Sequence, residues 1–388
     1  MREVAVLGVG MTKFGPSSLS LQELFAEAAL EAIRESNLTS KDIQALVIGN
    51  VLGDFSEAQM NLAPLLADEI GMGAQAPATR VEGGCASASV AFRDAFMWVA
   101  SGFYDIVIAG GVEKFTHMGT PQVTGALSMI EDSHYEEFSG LTFPGVFAML
   151  AHQYADKYSI PLPVLKERMA RVAVKNHRHG SMNPLAQFQK EITVEKVLGS
   201  AMVCDPLQVF DCCPISDGAA AVVLASREIA EKMVAKPIKV LGVGQGNGRP
   251  YSRQKDFTVM RARLASSSQA YKMAGIEPRH VDVVELHDCF TIAEIVASEC
   301  LGFFEFGKGS LAAELGETSL GGRIPINPSG GLKSKGHPVG ATGCAQVYEI
   351  VKQLREECGP RQVDGARIGI TDTLGGTGTV VVNILLGR

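Results

Sequence analysis

Ile276-Glu277-Pro278-Arg279-His280-Val281-Asp282-Val283-Val284-Glu285-Leu286 decides the fold, because the chain has already carried the same pattern once. Laid under Leu38–Ile48, it pairs Leu38 with Ile276, Lys41 with Arg279, Ile43 with Val281, Leu46 with Val284 and Ile48 with Leu286. In both copies a polar turn leads into an apolar run of strand length, with the apolar positions in register. The flanks repeat as well. Ahead of the first copy lie a strand, Val4–Val9, and a helix, Ser20–Glu35, whose Leu21, Leu24, Phe25, Ala28, Ala32 and Ile33 share one face. Ahead of the second lie a strand at Ile238–Val243 and a helix at about Thr258–Ala274. A helix around Ala58–Glu69, a strand–turn–helix from Ala78 to Val99 and a strand at Asp105–Ala109 follow the first copy. A helix from Gly340 to Leu354 and a strand at Ile368–Thr371 follow the second. Strands alternating with helices predict a layered α/β fold with a mostly parallel sheet, and the repeat predicts two similar domains packed together. The expected division is 1–112 with about 214–235 as the first domain, 113–213 as an insertion, and 236–388 as the second.

Composition bounds the function. The chain has 388 residues, 46% of them hydrophobic and 20% charged, enough for a large core and against disorder. A net charge of −7 argues against a general nucleic-acid surface. The eight cysteines follow no disulfide framework, and Cys212 and Cys213 are adjacent, so free thiols in a reducing, cytoplasmic setting are expected. The N-terminus enters a strand within a few residues, which reads as neither signal nor transit peptide, and no apolar run approaches membrane-spanning length.

The first chemical stretch is Val81-Glu82-Gly83-Gly84-Cys85-Ala86-Ser87-Ala88-Ser89. An extended approach runs into two glycines, then a cysteine, then small residues that open a helix. A cysteine so placed meets unpaired N–H groups and the positive end of the helix dipole, which favour a thiolate. The alternative is a small buried hydrophobe of no chemical consequence. Two later stretches supply partners. Glu285-Leu286-His287-Asp288-Cys289-Phe290 sets His287 and Cys289 between a strand end and a helix start, where α/β folds place chemistry; the plainer reading has Asp288 capping the helix. Asn327-Pro328-Ser329-Gly330-Gly331-Leu332-Lys333-Ser334-Lys335-Gly336-His337-Pro338-Val339-Gly340-Ala341-Thr342-Gly343 surrounds His337 with more glycine than a structural turn requires, and Lys333 and Lys335 could offset a phosphate.

Across essentially its whole length the chain resembles the thiolase superfamily, and within it the branch of sterol-carrier-protein-type thiolases and their bacterial and archaeal acetyl-CoA acetyltransferase-like relatives. The matching pieces are Val6 to Gly15, Gly83-Gly84-Cys85-Ala86-Ser87, Gly110-Gly111-Val112-Glu113-Lys114, His287-Asp288-Cys289-Phe290 and Gly336-His337-Pro338-Val339-Gly340-Ala341-Thr342-Gly343. The resemblance implies two duplicated βαβαβαββ-type domains in an αβαβα layering, an inserted loop domain over an acyl-CoA site, and a homodimer. It implies coenzyme A as a substrate, with no permanently bound cofactor and no metal. Some relatives work with a small zinc-containing OB-fold (DUF35-type) protein, which makes such a partner an expectation here.

The implied reaction breaks the C2–C3 bond of a 3-oxoacyl-CoA, or forms it in reverse. A thiolate suits attack on the C3 ketone because it attacks well and leaves well, and Cys85 takes that part. His337 would remove its proton, and Cys289 would move the proton at C2. His287 and His337 would hold the enolate oxygen, while the backbone N–H of Cys85 and one from Leu374 or Gly375 would hold the acyl oxyanion. Many thiolases carry a second cysteine in a glycine-rich loop near the C-terminus; here that position is Asp372, and Cys289 of the His-Asp-Cys-Phe motif replaces it. Lys175, Arg178, Gly330, Gly331 and Lys335 are the candidates for contact with CoA. Met129, Phe138, Phe143 and Phe147 are candidates for the floor of an acyl pocket or for loop-domain core.

Two other readings are available. A decarboxylating, ketosynthase-like condensing enzyme also uses a cysteine and two histidines, but has no need of Cys289. A non-catalytic acyl-CoA-binding subunit would have no need of four filled reactive positions. Cys212-Cys213 and the His177/His179 pair lack zinc-site spacing, and Gly242–Gly248 reads as a strand end.

Overall fold

A computed structural model describes residues 1–234 and 236–388. Its centre is a nine-stranded sheet in the order β3-β2-β4-β7-β1-β8-β11-β10-β9. The first half contributes β1 (Val4–Met11), β2 (Ala45–Gly49), β3 (Ala78–Val81), β4 (Ile106–Glu113) and β7 (Gly218–Ser226). The second contributes β8 (Ile238–Asn247), β9 (Val283–Leu286), β10 (Ile368–Gly375) and β11 (Val380–Gly387). A hairpin of β5 (Met202–Cys204) and β6 (Leu207–Gln208) stands apart in the insertion.

The repeat seen in the sequence is a repeat of topology. In the first half β2 is parallel to β4, β4 antiparallel to β7 and β7 antiparallel to β1. In the second β9 is parallel to β10, β10 antiparallel to β11 and β11 antiparallel to β8. A parallel bridge from Val284 to Ile326 stands where β3 lies in the first half. Short 3₁₀ turns, Ser40–Asp42 and Pro278–His280, precede β2 and β9, and each ends on the apolar residue of the aligned pair, Ile43 or Val281. The sheet is mixed rather than mostly parallel. The final strand of each half, β7 or β11, runs against both its neighbours, which a count of βαβ units does not reveal. The expected domain division stays a proposal on this topology, and its boundary residue 235 lies outside the described residues.

Among the described residues the sheets of the two halves pair through Ala5/Lys239 and Val6/Ile238 of β1 and β8 alone. Their relative position comes from packing. One core cluster brings Phe92, Phe96 and Val99 of the helix Ser87–Ser101 against Val347, Ile350 and Leu354 of the helix Thr342–Leu354, between strands of both halves. The opposite faces are covered by Leu21–Glu35 in one half and Arg261–Ala274 in the other. The layering is therefore αβαβα. Leu21–Glu35 starts where its sequence dictates: Ser20 accepts from the backbone of Glu23 and the Glu23 carboxylate accepts from that of Ser20, a cap worth about 1 kcal/mol. Gly8 and Gly10 let this helix lie directly on β1, since a Cβ at either would meet a helix carbonyl at 2.1 or 2.0 Å.

The insertion builds its own helices, Phe143–Lys157 and Leu162–Ser181, whose Phe147, Leu150, Tyr154 and Leu165 pack on Phe257, Phe290 and Ile292 of the second half. It therefore roofs the ground where His287 and Cys289 emerge. Among the described residues no helix is long and apolar enough to cross a membrane.

Candidate active site

Cys85 sits in the turn between β3 and the helix Ser87–Ser101, two residues before the helix begins. Gly84 takes a φ of +56°, which a side chain would resist, and Ser87 ties the turn by accepting from the Gly83 N–H at 3.0 Å and donating to the Gly84 carbonyl at 2.6 Å. The second half meets this turn backbone to backbone. A Cβ at Gly375 would lie 2.1 Å from the Gly83 carbonyl oxygen, and one at Gly84 would lie 3.1 Å from the Gly376 nitrogen.

His287 leaves the end of β9, and His337 follows the one-turn helix Gly331–Ser334. Their rings meet edge to face with centroids 4.9 Å apart. The Cys85 Sγ and a ring nitrogen from each histidine lie within 4.8 Å of one another, and all three residues are buried. Such a set could also hold a metal ion. Cys289 shares the same cavity of about 710 Å³, so the four residues that the sequence singled out converge although 252 positions separate the first from the last.

Hydrogen bonds set the proton on His337. The Thr342 hydroxyl has one hydrogen, and the Pro338 carbonyl 3.0 Å away can only accept it. The His337 Nδ1, 2.7 Å from the same oxygen, must then donate, which leaves Nε2 as a free acceptor. The His337 backbone N–H donates to Ser216 at 2.9 Å, and Ser216 donates to Gln187 at 2.5 Å, so the loop is pinned from behind. The Nδ1 of His287 has no protein partner.

Burial disfavours charge on all four groups. It brings the His337 imidazole down to about 3 and carries that of His287 well below its usual range, with the neighbouring His337 and Arg263 adding to the latter. It pushes the Cys85 and Cys289 thiols far above theirs, against a single backbone N–H from Gly376 that favours the Cys85 thiolate. Burial thus favours neutral thiols beside neutral imidazoles. A thiolate favoured by the helix dipole, expected from sequence, is outweighed by the covering insertion.

Other expected residues land elsewhere. Gly376, one position beyond Leu374 and Gly375, lines the cavity and reaches Cys85; Leu374 and Gly375 are held in β10 opposite Val381 and Val380. None of the five CoA candidates lines the cavity. Lys175 is buried against Glu294 and the Ile326 carbonyl. Lys335 is buried between Glu285 at 3.7 Å and Glu349 at 3.9 Å. Gly331 faces the Asp288 carboxylate and Gly330 the Gly180 backbone, each closer than a Cβ allows, and Arg178 is exposed. Phe143 lines the cavity; Phe147 is core, stacked on Phe290 at 4.5 Å; Met129 and Phe138 are exposed. Asp288 accepts from the Leu332 N–H at 2.7 Å, so it caps the turn carrying Lys333 rather than its own helix. His179 is bonded through both ring nitrogens, to the Asn327 carbonyl and the Leu320 N–H, so the His177/His179 pair is no metal site. Asp372 is locked at 2.9 and 3.1 Å to Arg263, both fully buried beneath the site. Thr342 and Ser216 escaped the sequence reading. Only the spacing of Thr342, five residues after His337 at a helix start, could have signalled it.

Known proteins resemble this chain along most of its length. Residues 4–228 match the family described as "Thiolase, N-terminal domain", and residues 245–388 match "Thiolase C-terminal domain-like". The chain is 45% identical to an acetyl-CoA acetyltransferase of Methanothermobacter thermautotrophicus over 99% of both proteins. It is 37% identical to the benzoylsuccinyl-CoA thiolase subunit BbsB of Thauera aromatica, over 97% of this chain and 95% of that one. It is 33% identical to human sterol carrier protein 2, over 99% of this chain and 72% of that one. Among solved structures, an Ltp2-ChsH2(DUF35) aldolase superposes with a TM-score of 0.84 at 26% identity, covering 100% of this chain and 98% of that one. Human mitochondrial 3-ketoacyl-CoA thiolase in complex with CoA superposes with a TM-score of 0.75 at 18% identity, over 100% and 98%, a likeness of fold.

Proposed function

The chain belongs to the thiolase family and is an acyltransferase with CoA as its substrate, and from that premise we propose how its own residues carry the reaction. Cys85 attacks the C3 ketone of a 3-oxoacyl-CoA as its proton passes to the free Nε2 of His337. The C2–C3 bond breaks, leaving the acyl group on the Cys85 sulfur and an acetyl-CoA enolate that Cys289 protonates at C2. Acetyl-CoA leaves, CoA attacks the thioester as its thiol proton goes to the Cys289 thiolate, and the Cys85 sulfur departs and takes its proton back from His337 as the shortened acyl-CoA leaves. Condensation is the same path reversed. Neutral resting partners suit this order: once the thiol proton reaches His337, the imidazolium has a donor for the enolate oxygen, beside His287. The backbone N–H groups of Cys85 and Gly376 serve the acyl oxyanion.

The observation that carries the proposal is the convergence of the Cys85 sulfur and two imidazole nitrogens within 4.8 Å, with Cys289 lining the same cavity. Cys289 disfavours the decarboxylating reading, and the filled constellation disfavours a non-catalytic subunit. The proposal includes no permanent cofactor, a homodimer, and a small zinc-containing OB-fold protein of the DUF35 type as partner; similarity to the Ltp2-ChsH2(DUF35) aldolase supports the last. Intact-protein mass spectrometry after mixing with linear, branched and aryl 3-oxoacyl-CoA thioesters tests the chemistry. We expect an acyl-sized mass gain that free CoA reverses and Cys85→Ser abolishes. An adduct that survives in Cys85→Ser would refute it. Co-purification and sedimentation test the partner and the dimer.

A further inference from the structure

Lys333 lines the same cavity as Cys85 and Cys289, is 1% exposed, and its Nζ has no hydrogen-bond partner. Among the described residues no carboxylate lies within 4.0 Å of it. The two acidic groups nearest in influence are committed elsewhere. Asp211 accepts from Lys166, the Gln208 N–H and the Thr291 hydroxyl. Asp288 accepts from Asn176 and the Leu332 N–H. The cavity that Lys333 lines has a mostly apolar wall, with Phe188, Val209, Phe210 and Ile215, and it includes His177, whose Nδ1 is also buried without a partner. Burial lowers the affinity of the Lys333 amine for its proton, while Cys212, Cys213, Asp211 and Asp288 act in the opposite direction. Cys213 ties this end of the cavity to the other, since its thiol also acts on Cys85 and Cys289.

A buried amine with unused donors in a mostly apolar cavity is costly to keep for packing alone, where leucine or methionine would serve. It becomes useful when an anion enters. We propose that the substrate is a 3-oxoacyl-CoA whose acyl chain carries a second, free carboxylate, and that Lys333 holds this carboxylate while Cys85 takes the acyl carbon. The inference rests on the thiolase reading above. A CoA phosphate is the other source of an anion, but the near-complete burial of Lys333 on a mostly apolar cavity favours a small monoanion borne on the chain inside.

The test compares thiolysis, by the purified protein, of a six-carbon 3-oxoacyl-CoA ending in a carboxylate with that of its methyl ester. Wild type is expected to favour the acid in kcat/KM by on the order of 10²-fold or more, as sites with unpaired buried polar groups do. In Lys333→Met the ratio is expected to fall to about one. Each substrate is also run with CoA and with pantetheine as acceptor. The inference is overturned if wild type shows no preference for the acid, if Lys333→Met leaves the ratio unchanged, or if the variant instead loses its discrimination between CoA and pantetheine. Thermal unfolding checks that Lys333→Met folds; if it does not, the wild-type ratio decides alone. Equal cleavage of acid and ester removes this inference and leaves the thiolase reading intact. No cleavage of either, with no acyl group on Cys85, removes both.

Discussion

Replacing Thr342 with valine keeps the shape of the side chain and removes the one oxygen that accepts from the His337 Nδ1. Two states are then open to the imidazole. It can keep its Nδ1 proton with no acceptor in a buried setting, which costs about 1–3 kcal/mol. It can instead move the proton to Nε2, where it faces Cys85 as a donor and cannot act as base. Either way the acylation barrier rises by about 1–3 kcal/mol, or about 5- to 150-fold in rate at 1.36 kcal/mol per decade. Thr342 is 2% exposed and does not line the cavity, so substrate binding should not change. Timed quenching with mass spectrometry of the Cys85 peptide gives the acylation rate, and its dependence on substrate separates kcat from KM. We expect kcat to fall with KM within about twofold, and Thr342→Ser, which keeps the hydroxyl, to restore it. Acylation by Thr342→Val within twofold of wild type would refute the reasoning. So would a serine variant as slow as the valine, because shape rather than the hydroxyl would then be what matters.

Three further expectations follow from the same geometry. Cys289→Ala should still accept an acyl group on Cys85 from acyl-CoA, yet lose deuterium exchange at C2 of acetyl-CoA by about 10²- to 10⁴-fold, as read by NMR; retained exchange would remove Cys289 from the mechanism. Because burial pushes the Cys85 thiol far above its usual range, its alkylation by iodoacetamide should climb with pH without levelling from pH 6 to 9; a plateau near neutrality would show a resting thiolate. Arg263→Leu leaves the Asp372 carboxylate buried without its cation and should cost about 3–5 kcal/mol in urea unfolding, much of it recovered in the Arg263→Leu/Asp372→Leu double variant; a single variant within about 1 kcal/mol of wild type would contradict a structural pair.

The parts legible in the sequence were those with local causes. The turns before β2 and β9 share a polar–apolar rhythm that needs no tertiary knowledge, and Gly-x-Cys, His-x-Cys and Gly-His-Pro sit at strand ends and turns that any α/β chain must make. What stayed hidden depended on faces and cover. Lys333 and Lys335 are two residues apart on one helical turn, both buried, yet one lines the cavity unpartnered while the other sits between two glutamates. Only packing against neighbouring elements separates them. Hairpin register likewise decides that Gly376, and not Leu374 or Gly375, meets the nucleophile. The dipole that favours a Cys85 thiolate is visible in the sequence, and the roof whose burial opposes it is not.

The two central helices carry the nucleophile at one mouth and the base at the other, and they touch closely. A Cβ on Gly343 would meet the Ser89 hydroxyl oxygen at 2.1 Å, and Ser89 also bonds across to Thr373 at 2.7 Å. With only two residue pairs of one strand pairing bridging the sheets of the halves among the described residues, this contact works as the gauge block of the molecule. The gap between sulfur and imidazole is machined by a hydrogen atom on a glycine remote from any substrate, and a single methyl group there would put the two halves of the tool out of true.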